Sequence, residues 1–118
     1  MLYAAFGRFD DTAQTIKLND QRMKHYLQWG DGFYNEVRDR VGYLPGTLYH
    51  LWHGKISDRR YRERHDQFSL LDFDPYTDVA LDAGGSWRWN SDKPDMHEYV
   101  RSYFSTRHED GHSPELTT

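Results

Sequence analysis

The chain has no cysteine, which excludes disulfides, zinc–thiolate sites, iron–sulfur clusters and thiol catalysis together. It also lacks any apolar run near the ~20 residues that a membrane-spanning helix requires. The opening "MLYAAFGRFDD" has neither the basic flank nor the long apolar stretch of a secretion signal. A cytoplasmic protein with no membrane span is therefore expected. There is no excess of basic charge: 15 Lys+Arg stand against 19 Asp+Glu, net −4, so nucleic acid is not an expected partner. A gel shift at physiological salt would expose any local exception. Nor is there a phosphate-cradling glycine loop, a Gly-x-Ser-x-Gly elbow or a His-Glu-x-x-His helix, so the better-defined enzyme signatures are missing.

What is abundant is aromatic. Nine Tyr, six Phe and four Trp make 16% of 118 residues, while all hydrophobic types together reach only 36%. Each ring buries a large area and several carry a polar handle. The core is expected to be built of rings, with some of them left for a ligand or partner. The length fits one domain, taken as compact over 1–107 with a flexible, polar and aperiodic tail over 108–118.

Local patterning predicts an α+β fold, a small sheet flanked by three or four helices. Leu2, Tyr3, Phe6 and Phe9 suggest a short helix that breaks near Gly7 and turns at Asp10-Asp11. Asn19 or Asp20 can cap a helix carrying Met23, Tyr26, Leu27, Phe33 and Val37, with a kink at Gly30-Asp31-Gly32. After the turn-like "GYLPG", residues 47–52 read as a strand. Ser57 and Asp58 can cap a second helix, with Tyr61, His65, Phe68 and Leu71 on one face, and Pro75 ends that stretch. Val79 to Leu81 suggests a short edge strand, and "DAGGSWRWNSD" a loop or hairpin that, if extended, carries Trp87 and Trp89 on one side. Pro94 opens a last helix through Met96, Tyr99, Val100, Tyr103 and Phe104.

Five groups of residues invite chemistry, the first being the adjacent carboxylates Asp10-Asp11, which invite a metal reading. His50 and His53 form an H-x-x-H spacing, but on a strand of period two they lie on opposite faces. His53, beside Gly54 at the strand's end, is then the better ligand and His50 a packed core residue. Lys55, Arg59, Arg60, Arg62 and Arg64 form a basic burst suited to phosphate or carboxylate, or else a solvated helix face. Asp72 and Asp74 have the D-x-D form of a cation site, yet "FDPYTD" is more simply turn chemistry. Trp87 and Trp89 can stack on a sugar or a base, or pack as core.

The run "VGYLPGTLYHLWHGKISDRRYRERHDQF", then "FDPYTD", the tryptophan loop and "KPDMHEYVRSYFSTRHED", resembles the C-terminal part of phage and bacterial glycosyltransferase-like proteins. These share the GT-A nucleotide-sugar fold and are distantly similar to galactosyltransferases. "GTLYHLWHG" and "DRRYRER" carry most of the resemblance, and "MLYAAFGR" resembles the helix that follows a glycine-rich acidic segment in the longer proteins. The resemblance implies that His53 helps to hold a divalent metal, usually Mn2+, on the donor diphosphate, where the metal would offset charge on the leaving group. It also implies that Arg59, Arg60 and Arg64 approach phosphate. Trp52, Trp87 and Trp89 are the rings expected on the substrate surface. The family's nucleotide-binding half, with its D-x-D motif and its acidic catalytic segment, has no counterpart in these residues.

Two expectations of different class follow. One is a glycosyltransferase-related domain that binds part of a nucleotide-sugar donor or an acceptor without catalysing transfer alone, its Mn2+ site incomplete. The other is a small phage-type protein that binds and inhibits a host or defence complex, for which exposed Tyr, Trp and Arg suit a protein interface.

Overall fold

The structure is a computed structural model and describes residues 1–50 and 56–107. Leu51, Trp52, His53, Lys55 and the 108–118 tail, on which several of the expectations fall, lie outside the described residues. Among those described the architecture is α+β. Helices α1 (Leu2–Ala5), α2 (Phe9–Ile16) and α3 (Asp20–Val37) come first, then a 3-10 turn (Ile56–Arg59) and α4 (Glu63–Ser69). Strands β1 (Val79–Leu81) and β2 (Trp87–Trp89) follow, and α5 (Pro94–Thr106) closes the series.

The first three helices form one packed unit. Ala4 and Ala5 are 0% and 4% exposed, and their small side chains let α1 approach α3 closely. Gly7, at φ +63°, ends α1 in a conformation that costs a residue with a Cβ, and the ring of Tyr34 lies against it. Asp10 and Asp11, read as a turn, instead form the first turn of α2, where negative charge meets the positive end of the helix dipole. Arg8 pairs with Asp11 across 2.6 Å at that end. The short amphipathic α2 was not legible because only Phe9, Ala13 and Ile16 mark its apolar face.

Helix α3 starts as its sequence predicts. The Asn19 side chain accepts the Arg22 N–H at 3.0 Å, a side-chain N-cap. The expected kink does not occur: α3 runs unbroken through Gly30-Asp31-Gly32. Gly30 is buried there because the Phe9 ring occupies the space a side chain would need. Phe9 in turn meets Tyr26 and Tyr34 edge-on, at 5.8 and 6.3 Å between ring centres.

The expected strand over 47–52 is a correction in its described part. Thr47 to His50 has no regular structure and is exposed, so His50 is a surface residue and not a core one. Strand propensity is realised only against a paired neighbour, and the sheet pairs β1 with β2 alone among the described residues. The period-two separation of His50 from His53 therefore loses its basis. The helix expected from Ser57 is also divided. Its first turn is 3-10, Arg60 takes a left-handed φ of +43°, and α-helix begins only at Glu63. Tyr61 thus leaves the helix face expected for it, while His65 and Phe68 remain half-buried on it.

The hairpin follows the pattern read from sequence. It pairs Val79 with Trp89, Ala80 with Arg88 and Leu81 with Trp87. Its turn is held by Asp82, whose Oδ1 accepts the N–H groups of Gly84 (2.8 Å) and Ser86 (2.9 Å). Pro94 occupies the first turn of α5, and Met96 is buried at 1% exposure. The interior is lined mainly by half-buried rings, among them Phe9, Tyr26, Tyr34, Phe68, Phe73, Trp89 and Tyr99. The expectation of a ring-built core holds only in part, because the buried hydrophobic residues among those described are Ala4, Ala5 and Met96, and the rings stay half-buried around them.

Candidate functional site

One side of α3 presents Arg22, the adjacent pair His25 and Tyr26, and Trp29, each three or four residues from the next turn's member and so aligned along the helix. Opposite them stand Thr12 and Ile16 of α2, Phe73 and Pro75 of the turn after α4, and Val79 and Trp87 of the hairpin. Together they enclose a cleft of about 550 Å3. Ligand pockets are commonly ~300–1,000 Å3, mostly apolar and aromatic with a few polar groups, and this cleft has that character. Its wall is fixed locally. Tyr26 hydroxyl and Thr12 Oγ1 share a hydrogen bond at 3.0 Å, and Trp29 stacks on Phe33 at 4.9 Å between ring centres.

Arg22 is the side-chain cation of the cleft. Burial pushes its guanidinium below the ordinary arginine value, although it stays ionised at neutral pH. Its Nη1 donates to the Lys17 carbonyl at 3.3 Å, and its guanidinium carbon lies 5.2 Å from the centre of the Phe68 ring. Nearby His65 is pushed below its usual value by burial first, then by repulsion from Arg64 and Arg22.

The two tryptophans singled out in the sequence are separated in role. Trp87 lines the cleft and is 72% exposed. Trp89 is half-buried and stacks on His97 of α5, 4.4 Å between ring centres and 20° between planes. It packs the hairpin against α5 and is not free to take a ligand ring.

Arg59 and Arg64 do come together, around Tyr103 of α5. The Tyr103 hydroxyl accepts from Arg64 Nη1 at 2.9 Å and donates to the Arg59 carbonyl at 3.3 Å. Tyr99 donates to the Arg64 carbonyl at 3.1 Å, and the Arg64 guanidinium sits 4.9 Å from the Tyr61 ring centre. These contacts dock α4 on α5 and orient the basic segment. Arg60 is exposed beside it, and Arg62, Arg64 and His65 border a second depression of about 510 Å3. None of Arg59, Arg60 and Arg64 lines the aromatic cleft.

Asp74 is engaged in turn chemistry, as its sequence context suggests, and Asp72 instead meets the residue that caps α3. Asp72 Oδ1 accepts from Asn19 Nδ2 at 3.2 Å, and Asp74 Oδ1 accepts the Tyr76 N–H at 2.8 Å. The buried member of this knot is Asp78, 1% exposed, whose Oδ2 accepts from the Asp74 N–H and from Lys93 Nζ, both at 2.8 Å. Burial alone would push the Asp78 carboxyl up. The Asp74 N–H and the Lys93 ammonium outweigh it and hold the carboxyl below its ordinary value.

The Mn2+ implied by the resemblance needs several oxygen or imidazole ligands converging on one point. Among the described residues no group of three or more His, Asp or Glu is so arranged, and His53 lies outside them. The residues in view do not make up its ligand set.

Sequence reasoning missed Arg22, His25 and Trp29 as site residues. Their shared helix face was readable, but the cleft opposite it is assembled from three other segments. No protein-family model matches the chain, and neither a curated protein nor a solved structure is significantly similar to it.

Proposed function

We propose that this chain is a glycosyltransferase-related binding domain that contributes part of the surface for a nucleotide-sugar donor or its acceptor and does not catalyse transfer by itself. The observation that carries this reading is the aromatic cleft, with Trp87 and Trp29 on its walls and a cation at its side. Sugar faces and nucleobases are both recognised by contact with aromatic rings, and phosphate by guanidinium. The basic segment 59–64, oriented by Tyr103, offers a second phosphate-facing surface next to His53 in sequence. Mn2+ enters this reading only through His53, as an expectation of the family resemblance.

Calorimetric titration with UDP, GDP and their sugars, with and without Mn2+, tests the reading. Saturable binding is expected, weakened about tenfold by Trp87→Ala, in line with the 1–3 kcal/mol of one base–aromatic stack. Absence of saturable heat under every condition contradicts it.

A separate observation favours a second reading. Tyr43, Leu44, Leu48 and Tyr49 are 90%, 94%, 92% and 86% exposed within seven residues of chain. Large apolar side chains grouped on a surface mark an interaction site, and here a protein partner, such as the host or defence complex of the inhibitor reading, would cover them. A stoichiometric partner retained by His53→Ala and lost with Leu44→Asp plus Leu48→Asp supports this reading. Retention by the double variant contradicts it.

A further inference from the structure

The chain carries 19 acidic residues, yet among the described residues neither Asp nor Glu lines the aromatic cleft. Its titratable side chains are Arg22, His25 and Tyr26, and Met1, which bears the N-terminal amine, lines it as well. Arg22 is half-buried, and its side-chain contacts among the described residues are the Lys17 carbonyl and the face of Phe68. No carboxylate of the described residues forms an ion pair with it. One of the five guanidinium N–H groups is thus hydrogen-bonded, and a partly desolvated cation is left without a counter-charge. Such a group, drawn partly out of water beside an apolar wall, is a ready partner for an anion. The bidentate geometry of guanidinium suits a carboxylate or phosphate. The rest of the wall, Tyr26, Trp29 and Trp87 above all, suits a flat apolar body.

We infer that the cleft is a site for an amphipathic oxyanion: a ligand with a planar aromatic body lying among Tyr26, Trp29 and Trp87 and a carboxylate or phosphate held by Arg22. This deepens the reading of the cleft as a small-molecule site and rests on it. Arg22 acts by contact with the anionic group, and the rings act by area, so the two contributions separate experimentally.

The test compares an anion with its neutral counterpart in two pairs, UMP against uridine and indole-3-acetate against indole-3-acetamide. Calorimetry with EDTA present excludes metal-mediated binding. In each pair that binds, the anion is expected to bind about tenfold tighter or more, the range of a charge-assisted hydrogen bond. Arg22→Gln should bring the two within about twofold while leaving the neutral compound's affinity in place, and Arg22→Lys should restore part of the preference. Circular dichroism and thermal melts establish that the variants are folded. If Arg22→Gln does not fold, Arg22→Lys against wild type carries the comparison. Equal binding of anion and neutral compound, or a preference untouched at Arg22, overturns the oxyanion assignment and leaves the cleft as a neutral site. Discrimination in the indole pair with no binding of UMP or uridine upholds the assignment and overturns the nucleotide reading. Failure of all four to bind overturns both.

Discussion

Gly30 shows how one position can oppose its own helix propensity. An added Cβ would stand 2.7 Å from Cε1 of Phe9, a ring already enclosed by Tyr26 and Tyr34. Gly30→Ala gains up to ~1 kcal/mol of helix propensity but displaces that ring, and a net loss of about 1–3 kcal/mol is expected. Gly32, on the same helix, has nothing within 4 Å of such a Cβ, so Gly32→Ala should stabilise by about 0.5–1 kcal/mol. Urea midpoints of opposite sign for these two variants check the account. Sequence alone treated both glycines as one helix-weakening unit, because the residue facing each is set by tertiary packing. The turn role of Asp74 was legible, since its carboxylate acts on a backbone neighbour two residues on, whereas the contact of Asp72 with Asn19 spans 53 positions and was not.

Asp78 gives the pH prediction at this scale. Its carboxyl is held below its ordinary value by the Asp74 N–H and Lys93, so the unfolded chain binds that proton more tightly than the folded one. Its stabilisation is fully present above the unfolded carboxylate value near ~4 and is lost as pH falls through the lower folded value. Asp78→Ala leaves a backbone N–H and an ammonium without their acceptor, for an expected cost of about 2 kcal/mol at pH 7. The difference from wild type, followed by urea unfolding, should shrink below about pH 4. A difference constant from pH 7 to pH 2 contradicts the assignment.

At the scale of elements, the Asn19 cap, the Pro94 start and the hairpin were readable, whereas the course of Thr47 to His50 and the start of α4 were not. The Asn19 cap of α3, the Pro94 start of α5 and the β1–β2 hairpin follow from local rules, because each is decided within a few residues. The irregular course of Thr47 to His50 depends on whether a neighbouring strand is available, which no local pattern records. The docking of α4 on α5 is likewise non-local, running from Arg64 to Tyr103 across 39 positions. Tyr103→Phe removes the hydroxyl that Arg64 and the Arg59 carbonyl share, at an expected cost of about 0.5–1.5 kcal/mol. Arg64→Ala combined with it should cost less than the sum of the two single changes. Strict additivity would show that the contact does not couple the helices.

For the whole molecule, periodicity gave the α+β class, with five α-helices among the described residues in place of three or four, and composition gave the half-buried rings that surround Ala4, Ala5 and Met96. They did not give the cleft, because its walls come from α2, α3, the turn after α4 and the hairpin, segments that meet only in the fold. Of the residues marked beforehand, Trp87 reaches that cleft, Trp89 packs on His97, and Arg59 and Arg64 gather at Tyr103. A chain poor in aliphatic residues uses its rings both to hold helices together and to line a site. The most direct test is to follow the tryptophan indole N–H signals by 1H–15N NMR while UDP or indole-3-acetate is added. The account predicts saturable shifts at Trp29 and Trp87 with Trp89 little changed. Shifts confined to Trp89, or none at Trp29 and Trp87 at saturating ligand, would contradict it.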